Sequence, residues 1–121
     1  TICYDVRFPA LYRQLAKRGA DVLLVPSAFT VPTGEAHWHV LLQARAIETG
    51  SYVLAAAQGG THDSGRATYG HSLAVSPWGE VLAEGATGPG ILMCDIDPAA
   101  AALARQRIPA LQHDRGFHLK A

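Results

Sequence analysis

The chain has 121 residues, of which 49% are hydrophobic and 17% charged, a composition that suits one globular domain rather than a disordered segment. Ten basic residues balance ten acidic ones, so the net charge is zero and no overall field would attract nucleic acid or an anionic membrane surface. With two cysteines and no apolar run near the roughly 20 residues that span a bilayer, the chain is expected to be cytoplasmic, without a disulfide framework or a membrane partner.

The first half of the chain alternates between strand patterns and helix patterns. Thr1 and its neighbours look like the end of a buried strand, and an amphipathic helix follows, with Pro9 at its start and Gly19 at its end. Repeated strand–helix–strand units predict an α/β fold. The predicted elements are helices over residues 9–18 and 36–49, strands over 22–25 and 52–57, and a loop over 30–34.

The second half of the chain is richer in strands. A polar segment over residues 61–68 is expected to be flexible, and Pro77-Trp78-Gly79-Glu80 is typical of a hairpin turn. Asp97-Pro98 is a typical helix start. The predicted elements are strands over residues 70–75, 81–83 and 91–96, a helix over 97–107, and a polar tail over 108–121 that cannot form a core of its own.

Cys3 stands where an apolar strand end meets a charged turn that is closed by Pro9. Such a turn would hold the thiol at a fixed angle, as a nucleophile requires. A thiol is mostly protonated at neutral pH and needs a base or a cation beside it to react. A cysteine on its own is weak evidence, because most free cysteines are buried and simply pack.

Several other conspicuous residues are interpreted as structural. Arg45 and Glu48 lie three apart on one predicted helix face and can form an ordinary intrahelical pair. Trp38 and Trp78 are interpreted as core or subunit-interface aromatics, because large aromatic area usually serves packing. Cys94, in an alternating strand pattern, is expected to be packed.

Six short motifs occur in order along nearly the whole chain. They are Cys3-Tyr4-Asp5-Val6-Arg7-Phe8-Pro9, Pro26-Ser27-Ala28-Phe29, Thr33-Gly34-Glu35-Ala36-His37-Trp38, Ala44-Arg45-Ala46-Ile47-Glu48, Gly70-His71-Ser72 and Pro77-Trp78-Gly79. Together they resemble the carbon–nitrogen hydrolase (nitrilase) superfamily, especially its Nit-type amidases. The resemblance implies an α-β-β-α sandwich, of which residues 1–121 would be a partial domain, the C-terminal half, with the N-terminal half absent.

The resemblance implies hydrolysis of a linear C–N bond in a small amide that carries a carboxylate, through a thioester and with release of ammonia. It implies no cofactor, no metal and a homo-oligomer. The family uses a glutamate base, a lysine and a cysteine, and the first two would precede Cys3. The two lysines of the sequence, Lys17 and Lys120, match no family motif. We therefore expect the isolated chain to be inactive on amides.

Three catalytic assignments follow from the resemblance. Cys3 is the nucleophile, and the backbone N–H of Tyr4 would stabilise the oxyanion of the tetrahedral intermediate. Glu35 matches a position where many superfamily members carry a second glutamate near the active site. A carboxylate in the first turn of a helix is also stabilising through the helix dipole, so a purely structural role for Glu35 stays open.

Four residues are assigned to substrate binding by the resemblance. Arg7 and Thr33 match positions that contact the carboxylate of an acidic substrate, and a guanidinium suits that task because it can bind a carboxylate through two hydrogen bonds. Arg7 could instead pair with Asp5. Ala28 and Phe29 would form the pocket wall, although Phe29 could equally be a core residue.

Three alternatives to this interpretation arise from particular features of the sequence. His37, His39 and Glu35 suggest a metal site, but residues two apart on a helix point in different directions and cannot bind one ion. A Cys–His peptidase would pair Cys3 with a distant histidine such as His71, and peptide cleavage rather than ammonia release would reveal it. A third alternative is a non-catalytic, truncated domain that docks with a partner.

Overall fold

The structure, a computed structural model, describes residues 1–116 and arranges them as three α-helices and six strands. This arrangement confirms the predicted α/β fold class. A short 3₁₀ helix over Cys3–Arg7 precedes the helices α1 (Pro9–Lys17), α2 (Val31–Thr49) and α3 (Pro98–Arg107). The strands are β1 (Val22–Leu24), β2 (Tyr52–Ala55), β3 (Gly59–Thr61), β4 (Ala67–Tyr69), β5 (Leu73–Val75) and β6 (Val81–Glu84).

Four strands form the main sheet in the order β1-β2-β5-β6. β1 and β2 are parallel, whereas β5 and β6 join by antiparallel pairing. The first residues of the chain, predicted to be the end of a buried strand, form no strand, and Ile2 is 70% exposed. They run beside β1, where Thr1 N donates to Leu24 O over 3.2 Å and Cys3 N donates to Pro26 O over 2.9 Å. The chain therefore reaches Cys3 at the carboxyl end of β1.

The core lies between this sheet and the helices α1 and α2. Along β1, Leu23 is buried and its neighbours Val22 and Leu24 are exposed, as expected when only one face of a strand is covered. The buried core residues are Val6, Tyr12, Leu23, Val25, Phe29, Trp38, Leu42, Ala46, Val53, Ala55, Leu73 and Val75.

Helix α2 begins earlier than the sequence predicts. The segment 30–34, expected to be a loop, belongs to its first turn, which opens with Thr30 as the N-cap residue and Pro32 inside the turn. Proline is tolerated there because the first N–H groups of a helix have no intrahelical partner. Gly34, which suggested a loop, instead lies where the helix passes very close to another element.

The segment 61–68, predicted to be flexible, forms most of a two-stranded hairpin. β3 and β4 pair with Gly59 opposite Tyr69, and the hairpin attaches to the chain after β1, where Tyr69 N donates to Phe29 O over 2.9 Å. An isolated bridge between Thr30 and Thr68 adds to this contact. Contacts with a distant segment therefore order a sequence that has little apolar character of its own.

The predicted strand over residues 91–96 is wrong. The described residues contain no strand between β6 and α3. Ile91 is 91% exposed and Met93 is 83% exposed, and the half-buried Cys94 lies outside any strand. Alternating hydrophobicity indicates a strand only where a neighbouring strand can pair with it, and none does here.

The C-terminal tail is held against α1 as far as the structure describes it. The carboxylate of Asp114 pairs with Arg13 and Lys17, and hydrogen bonds from Arg13 and then Lys17 lower the pKa of Asp114 to about 2. Residues 117–121 of the predicted tail lie outside the described residues. Within the described part of the chain, no helix is both long and apolar enough to cross a membrane.

Three of the residues interpreted as structural, Arg45, Glu48 and Trp38, have the expected contacts. Arg45 and Glu48 form the expected intrahelical pair, and Trp38 is buried in the core, where its indole N–H donates to His71 O over 2.7 Å. Trp78 is half exposed beneath the guanidinium of Arg107, 5.7 Å from the ring centroid.

Candidate active site

Cys3 lies on a strained turn between an extended segment and a helix. Its φ is +44°, a left-handed value that costs a non-glycine residue about 1–3 kcal/mol. Hydrogen bonds fix the turn: Asp5 Oδ2 accepts from Ile2 N over 2.8 Å, and Asp5 N donates to Ile2 O over 3.0 Å. A sharp strand-to-helix turn of this kind presents a nucleophilic side chain at the end of a sheet.

The half-buried Cys3 lines an open cleft at the carboxyl ends of β1 and β2. One wall is formed by residues 26–28 after β1, and another by residues 56–59 after β2. A glycine-rich segment, residues 85–92, also lines the cleft, and we call it the strap. Ligands in α/β sheets bind beyond the carboxyl ends of the strands, so this cleft is the natural site for a small molecule.

The strap approaches the hairpin closely because Gly59 in β3 and Gly70 after β4 leave room for its backbone. A Cβ atom on Gly59 would lie 2.2 Å from Thr87 O, and one on Gly70 would lie 2.9 Å from Thr87 Cα. The φ of Gly70 is also +71°, which glycine adopts without strain.

Tyr4 follows Cys3 directly in the 3₁₀ turn. Its backbone N–H therefore belongs to the residue after the candidate nucleophile, where oxyanion donors are found in other turns of this shape. Its ring is exposed and lies 5.8 Å from the ring of Phe8. The oxyanion role of Tyr4 stays a prediction.

Arg7 and Phe29 lie against each other. The guanidinium carbon of Arg7 is 5.2 Å from the Phe29 ring centroid, and Arg7 Nη1 is 3.3 Å from His37 Nδ1. Among the described residues Arg7 forms no ion pair with Asp5, whose carboxylate binds the backbone of the turn. Phe29 is 7% exposed and packs edge-on against Trp38, so it has the surroundings of a core residue with one face toward Arg7.

Thr33 and Glu35 lie in the first turns of α2. The hydroxyl of Thr33 bonds within the turn, 2.8 Å from Thr30 Oγ1 and 3.2 Å from Thr30 O, and the side chain of Glu35 is exposed. Of the seven residues predicted for the site, Cys3 and Ala28 line the cleft, and the other five do not. The roles assigned to all seven residues stay predictions.

Six polar residues that the sequence did not single out for the site line the cleft: Ser27, Gln58, His62, Ser72, Glu84 and Thr87. His62 Nε2 lies 2.7 Å from the buried hydroxyl of Thr68, so the hairpin holds this imidazole in place. No local pattern identifies His62, because its position depends on how the hairpin attaches to the rest of the chain.

Glu84 bridges two imidazoles at the edge of the cleft. Its Oε1 atom lies 2.8 Å from His71 Nδ1 and 3.0 Å from His39 Nε2. The hydrogen bond from His71, assisted by that from His39, lowers the pKa of the Glu84 carboxyl. No group of three histidines, cysteines or carboxylates in the described part of the chain could hold a metal ion.

The described residues place no lysine in the cleft. Lys17 lies at the end of α1, paired with Asp114, and Lys120 lies outside the described residues. His71, the predicted partner of Cys3 in a Cys–His peptidase, binds Glu84 and does not line the cleft.

Comparison with known proteins identifies the family. The family model described as carbon–nitrogen hydrolase matches residues 1–106. A deaminated glutathione amidase of Synechocystis is 54% identical over 113 residues, which cover 93% of this chain and 42% of the relative. The chain thus spans less than half the length of this relative.

Two solved structures share the fold. The C. elegans NitFhit protein superposes with a TM-score of 0.91 and 49% identity, over 95% of this chain and 28% of that protein. The amidase of Nesterenkonia, in which the acetamide moiety of fluoroacetamide is attached to the active-site cysteine, gives a TM-score of 0.77 and 35% identity, over 94% of this chain and 39% of its own. The chain belongs to the carbon–nitrogen hydrolase family and has the α/β fold of the nitrilase superfamily.

Proposed function

We propose that this chain carries the nucleophile of an amidase and that Cys3 attacks the carbonyl carbon of a small amide bearing a carboxylate. The observation that carries the proposal is the strained turn, which brings Cys3 to the cleft at the strand ends. Two relatives support it: one is named a deaminated glutathione amidase, and the other carries the acetamide moiety of fluoroacetamide on its active-site cysteine.

The reaction would proceed in two stages. The Cys3 sulfur bonds to the carbonyl carbon, the C–N bond then breaks, and the nitrogen takes up a proton and leaves as ammonia. Water next attacks the thioester, which releases the acid and restores the thiol. The Tyr4 N–H would stabilise the oxyanion in both stages, and one such donor is typically worth about 3 kcal/mol.

Amide hydrolysis also needs a base and a further oxyanion donor. Lys17 is paired at the end of α1, and the carboxylate of Glu84 is engaged by two imidazoles. An activated ester makes a simpler test, because p-nitrophenolate leaves without being protonated. The nucleophile can therefore be tested on its own.

We expect mono-p-nitrophenyl succinate to acylate Cys3 selectively. The turn holds Cys3 beside the Tyr4 N–H, whereas Cys94 lies in an irregular segment, so we expect Cys3 to be acylated about tenfold faster than Cys94. Mass spectrometry of peptides would locate the succinyl group, and release by hydroxylamine would identify a thioester.

The Cys3→Ala variant supplies the control, and it should keep only the slow reaction at Cys94. Equal acylation of both cysteines, or none at Cys3 in a folded protein, would contradict the proposed role of Cys3. Reaction at a histidine such as His62 instead of Cys3 would favour a different nucleophile.

A second expected result concerns the substrate carboxylate. We propose that Arg7 binds it, because a half-buried guanidinium held against Phe29 keeps donors available and suits a carboxylate. Arg7→Met keeps the packing on Phe29 but removes the charge. Acylation of Cys3 by the succinate ester, relative to the neutral propionate ester, should fall about tenfold.

Arg66→Met is the matched control, because Arg66 lies near the same site, with Nη2 3.3 Å from Ala28 O. The ratio of the two rates should change little in this variant. If Arg66→Met lowers the ratio and Arg7→Met does not, the carboxylate is bound by the hairpin rather than by Arg7.

A further inference from the structure

Arg45 is a buried cation that joins helix α2 to the turn bearing Cys3. The residue is 5% exposed, and its Nε donates to Val6 O over 2.8 Å. Its Nη1 pairs with Glu48 on the same helix, and its guanidinium carbon lies 5.8 Å from the ring centroid of Tyr12. One guanidinium thus touches three separate parts of the structure.

The contact with Val6 affects the geometry of the turn. Val6 is fully buried within the 3₁₀ helix Cys3–Arg7, and a buried carbonyl without a partner is costly. The same short helix starts at Cys3, whose left-handed φ of +44° persists only where the surroundings enforce it. Asp5 fixes the front of the turn through Ile2, whereas Arg45 fixes its far end.

We propose that Arg45 is a positioning residue for Cys3. It touches no reacting atom and acts through the backbone of the turn, which it holds in the strained conformation that directs Cys3 to the cleft. The inference rests on the proposed role of Cys3 for its functional meaning, but the conformational claim can be tested separately.

The bonding pattern requires a guanidinium. Nε and Nη1 point in fixed, different directions, so one planar group serves Val6 O and Glu48 together. A lysine ammonium at this position could serve one of these acceptors at a time. We therefore expect lysine to hold the turn only in part.

The experiment measures the backbone conformation of Cys3 by NMR in the full 121-residue chain. The one-bond Cα–Hα coupling distinguishes positive from negative φ. We expect the positive-φ value in the original protein, loss of this value in Arg45→Met, and a value between the two in Arg45→Lys.

Thr49→Val is the matched control. Thr49 is buried one turn further along α2, where its hydroxyl donates to Arg45 O over 2.6 Å and forms no hydrogen bond to the turn. Its replacement should lower the thermal unfolding midpoint and leave the Cys3 coupling unchanged. If the role of Arg45 were purely structural, Arg45→Met would also lower the unfolding midpoint and leave the Cys3 coupling unchanged.

The proposal would be overturned if the Arg45→Met variant folds and its Cys3 coupling equals that of the original protein. If Arg45→Met does not fold, Arg45→Lys decides, and an unchanged coupling there overturns it as well. Failure of Cys3 acylation with the coupling pattern intact would instead count against the proposed function alone.

Discussion

Replacing Gly34 by alanine is expected to lower the free energy of unfolding by about 3 kcal/mol, although alanine normally stabilises a helix by about 1 kcal/mol relative to glycine. Gly34 is buried in the first turns of α2, where a Cβ atom would lie 2.1 Å from Tyr69 Cγ. Either the helix or the Tyr69 ring would have to move. Because Tyr69 stacks on His71 at 4.3 Å, the shift would reach the cluster around Glu84.

Urea unfolding followed by circular dichroism would measure this effect. Gly88→Ala is the control, because a Cβ atom there meets nothing within 4 Å, and we expect no significant change in stability. A Gly34→Ala variant that is as stable as the original protein, or more stable, would mean that α2 does not approach Tyr69 as closely as described.

Replacing Arg105 by methionine is expected to release helix α3 from the rest of the fold. α3 buries only Ala101 and Ala104, so apolar contact holds it weakly. Arg105 supplies most of the polar attachment, and its side chain crosses Gly50, where a Cβ atom would lie 2.7 Å from Arg105 Cγ. Its partners are Thr49 O at 3.0 Å, Asp21 Oδ1 at 2.6 Å, Ala20 O at 2.8 Å and Ser51 Oγ at 2.8 Å.

Loss of these bonds should cost about 3 kcal/mol of local stability, because each involves a charged donor but the group is partly exposed. Amide hydrogen exchange in α3 should accordingly become about a hundredfold faster, while exchange in β1 and β2 should change much less. Arg107→Met, on the same helix over Trp78, is the matched control. Equal exchange in the two variants would show that Arg105 does not anchor α3.

The elements with a strong local pattern could be predicted from the sequence. The helix after Pro9 and the strands around Leu23 and Val53 follow from the spacing of hydrophobic residues and from the prolines and glycines at the ends of these elements. The structure confirms all three. The turn that bears Cys3 is also visible in the sequence, because a charged run there is closed by Pro9. The positive φ of Cys3 confirms that the turn is sharp.

Elements that depend on distant contacts could not be predicted in this way. Gly34 suggested a loop, but the reason for a glycine there is the ring of Tyr69, 35 residues further along the chain. The hairpin of β3 and β4 needs its bond to Phe29, which no local pattern shows. Residues 91–96 have a strand pattern without a strand partner.

The residues of the candidate site divide in the same way, into those that a local motif indicates and those that depend on distant contacts. Motif resemblance could assign Cys3, Tyr4 and Arg7, which lie within one turn of the chain. His62 and Glu84 reach the cleft through pairing of β3 with β4 and of β5 with β6, so their presence there depends on tertiary structure. Arg45 was interpreted correctly as a partner of Glu48, but its bond to Val6 O connects residues 39 apart.

The width of the cleft beside the strap depends on Gly59 and Gly70, which have no Cβ atom. These glycines let the main chain at Thr87 lie against the hairpin. A single methyl group at either position would push the strap outward without changing any polar residue of the site. The width of the cleft can thus be changed at positions other than Cys3, without altering the turn that presents the thiol.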